Sequence, residues 1–208
     1  PMVKISFDTM INEIYLIENI FLRSLMSAKP GNLLFYMIDP VGKGDMFLDY
    51  LNFSQTSTKQ ILNNKIFTNP QEIDETLKKL VATYDDIEQN YLKGLNVVDY
   101  NQKSKVTIPY RVVILDAFPQ GLSLNAIEMI KKLARYEIEA GLHFVFLVDE
   151  KYMSKVEDIT CNTVVTKVPV NTSIDFNRIK KVKNSVIDFT DLNFNTSVDA
   201  SFEDCFAR

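Results

Sequence analysis

Three acidic residues follow directly after apolar runs in this sequence, and carboxylates in such positions are suited to binding a metal ion or a water molecule. The runs LLFYMI, YRVVIL and LHFVFLV are followed by Asp39, Asp116 and Asp149. In an open α/β sheet, ligands bind outside the carboxyl ends of the strands, and Asp oxygens there are natural ligands of Mg²⁺. Asp also ends strands for a structural reason, because its side chain hydrogen-bonds to the following turn. The pattern leaves a nucleotide-type crevice and simple strand ends as alternatives.

The elements that must position these carboxylates follow from hydrophobic periodicity and turn signals. Continuous apolar runs bounded by turn residues predict strands buried on both faces of a parallel sheet. The predicted strands are Val3 to Phe7, Leu33 to Ile38, Tyr110 to Leu115, Leu142 to Val148, a segment within 162–170, and Ser185 to Phe189. The predicted helices run from Asp8 to about Ser27, from the cap Asn69 to Gly94, and from the cap Ser123 to Gly141, and residues 41–68 are predicted to be irregular. Strands that alternate with helices indicate βαβ units and an α/β fold.

Composition narrows the classes of function. The 208 residues, 46% of them hydrophobic, are enough for one large packed domain. The net charge of −4 and a single basic run at 178–183 argue against nucleic-acid binding, since binding to the phosphate backbone requires a basic face. Two cysteines, Cys161 and Cys205, do not form a disulfide scaffold or a metal site. No apolar run reaches the ~18 residues of a membrane span.

Five segments occur in the order 35–40, 68–91, 95–103, 108–118 and 130–150: FYMIDP, TNPQEIDETLKKLVATYDDIEQNY, LNVVDYNQK, IPYRVVILDAF and IKKLARYEIEAGLHFVFLVDE. Together they resemble the ATPase domains of the FtsK/SpoIIIE translocase family. FYMIDP (35–40) is similar to the strand that follows the family's phosphate-loop helix, and residues 68–91 are similar to its next helix. LNVVDYNQK (95–103), IPYRVVILDAF (108–118) and residues 130–150 resemble the family's YN segment, its Walker B strand and its RAaG-to-sensor segment. The resemblance covers about residues 8–170. It implies a RecA-like, P-loop NTPase-type three-layer sandwich and an ATP-driven translocase.

The sequence departs from the family where phosphates should bind. The family's helix length places the phosphate loop near residues 7–14, which read FDTMINEI and contain no Gly or Lys. Asp8 and Glu13 bring negative charge to a position where a Gly-rich loop and a Lys should cradle phosphates. The segment Gly42-Lys43-Gly44 follows a different strand and lacks the Walker spacing, so we interpret it as a turn.

The residues for hydrolysis are also altered. Asp116 corresponds to the Walker B aspartate, but Ala117 occupies the position of the catalytic glutamate, and a methyl group cannot orient water. Ile138 corresponds to the family's arginine, and Val148-Asp149-Glu150 to its Thr-Gln-Arg sensor. The resemblance thus implies a degenerate ATPase, and we assign a catalytic role to none of its residues. We expect no cofactor, or at most weak binding of ATP and Mg²⁺ beside Asp39 and Asp149.

The resemblance extends to type VII secretion coupling proteins of the EssC/EccC kind, which carry several FtsK-like domains in one bacterial, membrane-anchored chain. It implies a substrate-binding or assembly module on the cytoplasmic side of the cell membrane. The expected partners are other FtsK-like domains of the same chain and a small helical secreted protein, while DNA is unlikely and the membrane is contacted only through the rest of the parent protein. The alternatives are a divergent ATP-driven DNA translocase motor and an enzyme of another doubly wound class. Residues 1–208 are expected to form one domain of a larger protein, with a loose tail from about 190 to 208.

Apolar residues in the irregular segments are candidates for a groove that receives an apolar helix face. They are Met46, Phe47, Leu51 and Phe53 after the first strand-end aspartate, and Phe118, Pro119 and Leu122 after the second. The alternative is that these side chains pack within the domain itself. Exposure in the structure distinguishes the two interpretations.

Overall fold

A parallel sheet of six strands organises the chain. The structure is a computed structural model that describes residues 2–7, 10–29, 31–52, 65–136, 140–149 and 163–168. The strands are β1 (Met2–Phe7), β2 (Leu33–Ile38), β3 (Ile66–Phe67), β4 (Tyr110–Leu115), β5 (Leu142–Asp149) and β6 (Thr163–Val168). Their order across the sheet is β3-β2-β4-β5-β1-β6, and every pairing in the described part of the chain is parallel.

Helices connect the strands. They are α1 (Met10–Ser27), a 3₁₀ helix (Asp45–Asn52), α2 (Pro70–Asp86), a π-helix (Ile87–Leu92), α3 (Val97–Lys103) and α4 (Leu124–Leu133). The Asn69 side chain accepts from the amide of Gln71 at the start of α2, and the Ser123 side chain accepts from the amide of Ala126 at the start of α4. Both residues were predicted as caps, which satisfy amides that a helix leaves unpaired in its first turn.

Side chains that alternate along the strands divide the core into two clusters. On one face of the sheet, Ile17 and Phe21 of α1 share a cluster with Phe35, Ile114 and Leu147. On the other face, α2 and α4 share a cluster with the alternate strand residues, such as Val113 and Phe146. Successive residues of a strand point to opposite faces, so β2, β4 and β5 supply apolar side chains to both clusters. The predicted α/β three-layer fold with a parallel sheet is confirmed.

Several predicted boundaries are wrong. Residues 41–68 are not wholly irregular, because they contain the 3₁₀ helix and β3, and α4 ends at Leu133 rather than near Gly141. The helical run predicted to stop at Gly94 does end next to it, at Leu92 with Lys93 as the left-handed cap, but its last six residues have π geometry. Ile87 and Leu92 are both buried and lie five residues apart, which is the hydrogen-bond spacing of a π-helix. The π turn therefore keeps both side chains on the core.

Three predictions lie outside the described residues: the helix start at Asp8, the strand Ser185 to Phe189 and the tail from about 190 to 208. No described helix combines the length and apolarity needed to cross a membrane.

Candidate functional site

The parallel register brings two of the three strand-end carboxylates together. Ile38 of β2 is the partner of Leu115 of β4, so Asp39 and Asp116 are the next residues on adjacent strands. The amide of Asp116 donates to the carbonyl of Ile38 at 2.9 Å, and the amide of Asp39 donates to the carbonyl of Phe67 at 2.9 Å. The backbone of three neighbouring strands thus fixes where both residues leave the sheet.

Asp39 is fully buried, with a relative exposure of 0%. Its two carboxylate oxygens accept hydrogen bonds from the amides of Gly42, at 2.6 Å, and Gly44, at 2.8 Å. The loop reaches this geometry with positive φ at Lys43 (55°) and Gly44 (91°), and a Cβ at Gly42 would lie 2.7 Å from an Asp39 oxygen. The amides of the Gly42-Lys43-Gly44 segment therefore bind an internal carboxylate, in agreement with its interpretation as a turn.

Asp116 has an altered proton affinity. Burial and, second to it, the negative charge of Asp39 raise the pKa of its carboxyl to about 6. The amide of Ala117, which donates to Asp116 Oδ1 at 2.7 Å, opposes the rise, while a hydrogen bond with the Asp39 carboxyl adds to it. Two carboxyls in contact are more stable when one of them holds a proton. The site is thus a pair of neighbouring carboxyl groups, of which Asp116 has a raised pKa.

The chain turns sharply after Asp116. Ala117 has φ 50°, a left-handed conformation that is unfavourable for a residue with a Cβ. Its carbonyl accepts from the amide of Gln120 at 2.8 Å. A Cβ at Gly121 would lie 2.8 Å from Cβ of Pro40, so the loop after β4 packs closely on the loop after β2.

Asp149, the third carboxylate, ends β5 at a different point of the sheet. It is the partner of Phe7, the last residue of β1, while Phe146 is the β5 partner of Leu115. Its side chain lies outside the described residues, as do Ile138 and Glu150. Among the described residues, no group of three His, Cys, Asp or Glu side chains is arranged to hold a metal ion.

The connection between β1 and α1 is short. The strand ends at Phe7 and the helix begins at Met10, so two residues separate them. A P-loop places a segment of the form Gly-x-x-x-x-Gly-Lys-Ser/Thr between a strand and a helix. Two residues are too few for the Gly-rich part of that motif.

The predicted docking residues divide into three groups. Met46, Phe47 and Phe118 are buried, with exposures of 8%, 0% and 0%, and Phe118 packs against Phe146 with ring centroids 4.5 Å apart. The prediction that these three line an exposed groove is wrong, because they complete the core beneath the loops. Pro119 and Leu122 are half-buried. The side chains of Leu51 and Phe53 lie outside the described residues.

Two exposed apolar residues at the same edge were not predicted. Leu124 is 86% exposed and Val41 is 49% exposed. A Cβ at Gly121 would lie 3.3 Å from Val41 Cγ2, which places Val41 against the loop that carries Pro119 and Leu122. The available signal was helical periodicity, because Leu124 lies off the face of α4 on which Ala126 and Ile130 are buried.

Comparisons with known proteins give structural likeness without sequence likeness. No protein-family model matches the chain, and no curated protein matches its sequence at a significant level. The cytoplasmic domain of the type VII secretion ATPase EccC from Thermomonospora curvata is similar in structure, with a TM-score of 0.59, 16% identity, and coverage of 79% of this chain and 20% of that one. EccC ATPases 2 and 3 in complex with a signal sequence peptide give a TM-score of 0.56 and 12% identity, covering 79% of this chain and 30% of that one.

Two other secretion or transfer proteins have similar structures. EssC (ATPases 2 and 3) from Geobacillus thermodenitrificans has a TM-score of 0.58 and 15% identity, with coverage of 91% of this chain and 36% of that one. The pCW3 conjugation coupling protein TcpA, in a monomer form with ATPγS, has a TM-score of 0.57 and 14% identity, with coverage of 81% and 49%. The chain spans between a fifth and a half of the length of these proteins. Its fold is that of RecA-like P-loop ATPase domains, as predicted.

Proposed function

We propose that this chain is a domain of an FtsK/SpoIIIE-type secretion motor that no longer hydrolyses ATP and serves in substrate binding or assembly. The observation that carries the proposal is the two-residue connection between β1 and α1, at the position where a P-loop fold binds phosphate. Without a cradle of backbone amides and a Lys, the charge of the phosphates has no compensation.

Two features of the carboxyl edge support the loss of ATP hydrolysis. Asp116 remains at the end of β4, but Ala117 follows it and has no group to orient the attacking water. The amides of Gly42 and Gly44, which would be suited to an anion, already bind Asp39. In the described part of the site, the residues that are present therefore do not fit MgATP.

The proposed partners follow from the structural neighbours. EccC has been observed with a signal sequence peptide, and by analogy we propose that this domain contacts a small helical secreted protein and other FtsK-like domains of its parent chain. The parent would anchor it at the cytoplasmic side of the bacterial membrane. The proposed contact surface at the carboxyl edge consists of the exposed Val41 and Leu124 and the half-buried Pro119 and Leu122.

Nucleotide binding tests the proposal directly. Calorimetry with MgATP is expected to show no binding, or very weak binding, and a phosphate-release assay is expected to show no turnover. Ala117→Glu alone is expected to leave turnover absent, because the phosphates still lack a cradle. Submicromolar binding, or turnover that Asp116→Ala abolishes and the exposed control Asp86→Ala does not, would refute the loss of ATPase function.

Substrate binding is tested separately. A synthetic type VII signal-sequence peptide is expected to bind, and Leu122→Glu or Leu124→Glu to weaken that binding, while Val106→Glu, at another exposed apolar position, serves as the control. Equal binding by all variants would exclude the proposed surface.

If the chain is instead a DNA translocase motor, it should bind duplex DNA tightly. The TcpA likeness keeps it in consideration, while the net charge of −4 opposes it. Fluorescence anisotropy with a duplex at physiological salt is expected to show weak, strongly salt-dependent binding. Submicromolar affinity would favour the translocase.

A further inference from the structure

A cleft of about 420 Å³ lies on the outer surface between α2, the π-helix and α4. Its lining residues are Val81, Asp85, Glu88, Lys132, Arg135 and Tyr136. The hydroxyl of Tyr84, next to Asp85, reaches the carbonyl of Gly141 at 3.5 Å, just before the start of β5. The cleft therefore lies at the amino edge of the sheet, away from the Asp39–Asp116 pair.

The acidic and the basic side chains of the cleft lie on opposite walls. Asp85 and Glu88 come from α2 and the π-helix, whereas Lys132 and Arg135 come from α4 and the turn after it. Lys65 pairs with Glu72 and Lys131 with Glu128, and no ion pair among the described residues joins the two walls. We call Asp85 and Glu88 the acidic wall, and Lys132 and Arg135 the basic wall.

Tyr136 holds Asp85 of the acidic wall in place. The Tyr136 hydroxyl donates to Asp85 Oδ1. Burial, this hydrogen bond and the negative charges of Asp85 and Glu88 together raise the pKa of Tyr136 to about 12. Tyr136 therefore remains a neutral hydrogen-bond donor to Asp85 at physiological pH. The basic wall has no partner of this kind among the described residues.

A surface with an acidic and a basic wall side by side is complementary to itself. A twofold axis that lies in the plane of contact sets the acidic wall of one copy against the basic wall of the other, and the reverse, so both sets of charges are paired at once. Facing clefts enclose a common space, which water fills in polar interfaces.

We propose that this cleft is an interaction surface for a second copy of this chain, paired head to head by charge complementarity. The contact is independent of nucleotide and extends beyond the proposed function. Because its charges are exposed, it is weak and sensitive to salt.

Sedimentation analysis of four proteins tests the proposal at about 0.02 M and about 0.5 M salt. The wild type is expected to dimerise at low salt and to dissociate at high salt. Lys132→Glu/Arg135→Glu and Asp85→Lys/Glu88→Lys are each expected to weaken self-association about 10-fold or more. Lys78→Glu/Lys79→Glu, which makes the same charge change on exposed residues of α2 outside the cleft, is expected to behave like the wild type.

A mixture of the two wall variants is the decisive measurement. Lys132→Glu/Arg135→Glu carries four acidic side chains in the cleft, and Asp85→Lys/Glu88→Lys carries four basic ones. The two variants are therefore expected to form a mixed dimer at low salt, while each alone stays monomeric. Circular dichroism confirms that each variant is folded. The proposal is overturned by a wild type that stays monomeric at about 0.5 mM, by a mixture that stays monomeric, or by a control variant that weakens association as much as the wall variants.

Discussion

Replacing Asp116 with Asn is expected to stabilise the protein at neutral and alkaline pH. The pKa of Asp116 rises from 3.8 to about 6 on folding, first through burial and then through the charge of Asp39. A folded-state pKa above the unfolded one means that folding favours the protonated carboxyl. Its contribution to stability is therefore fully present below the unfolded pKa of 3.8, and it is lost as pH rises through about 6.

The size of the effect follows from the same values. A rise from 3.8 to about 6 corresponds to about 3 kcal/mol between the fully protonated and fully ionised limits. Solvent reaches part of the carboxyl and screens the interaction, so we expect about 1–2 kcal/mol for Asp116→Asn at pH 8. The amide oxygen of Asn can still accept from the Ala117 amide, and its NH₂ group can donate to Asp39. At pH 4 the gain is expected to fall to about zero.

Urea unfolding followed by circular dichroism, repeated between pH 4 and pH 8, measures this dependence. Asp86→Asn is the matched control, because Asp86 is exposed near the end of α2 and the substitution removes the same charge. It is expected to show no comparable gain between pH 4 and pH 8. A gain for Asp116→Asn that is independent of pH, or a loss at pH 8, would refute the reasoning that the carboxyl pair stores an unfavourable charge.

Two further substitutions test the loops beside this pair. Gly121→Ala is expected to destabilise the protein by about 2–4 kcal/mol in urea unfolding, because φ is 70° and the new Cβ would lie 2.8 Å from Pro40 Cβ. The control Gly94→Ala, at φ 88° in open space, should lose only about 1 kcal/mol. Equal losses would show that the contact between the two loops is unimportant. Ala117→Gly is expected to be neutral or to stabilise by up to about 1 kcal/mol, since it relieves a left-handed Ala, whereas Ala82→Gly in exposed α2 should destabilise by about 1 kcal/mol. Equal losses from these two alanines would argue against strain at Ala117.

Local signals were sufficient to predict much of the fold. The apolar runs predicted β2, β4 and β5 because a strand covered on both faces needs apolar side chains in both directions. Asn69 and Ser123 identified two helix starts, since a side chain that accepts from a first-turn amide acts within three residues of the chain. The resemblance in segments such as IPYRVVILDAF then indicated the RecA-like fold, and the structural neighbours agree.

Tertiary structure alone decided which strand-end carboxylates meet and which apolar residues remain exposed. Strand order placed β4 between β2 and β5, so Asp39 meets Asp116 while Asp149 ends β5 beside β1. Register and order depend on packing between distant segments, which periodicity along the chain does not contain. Phe118 belongs to the core because its loop folds back over the sheet onto Phe146, although by type and position it was an equally good surface residue. The raised pKa of Asp116 has the same origin, since the sequence shows the carboxyl group but only the fold removes its water and brings a second carboxyl against it.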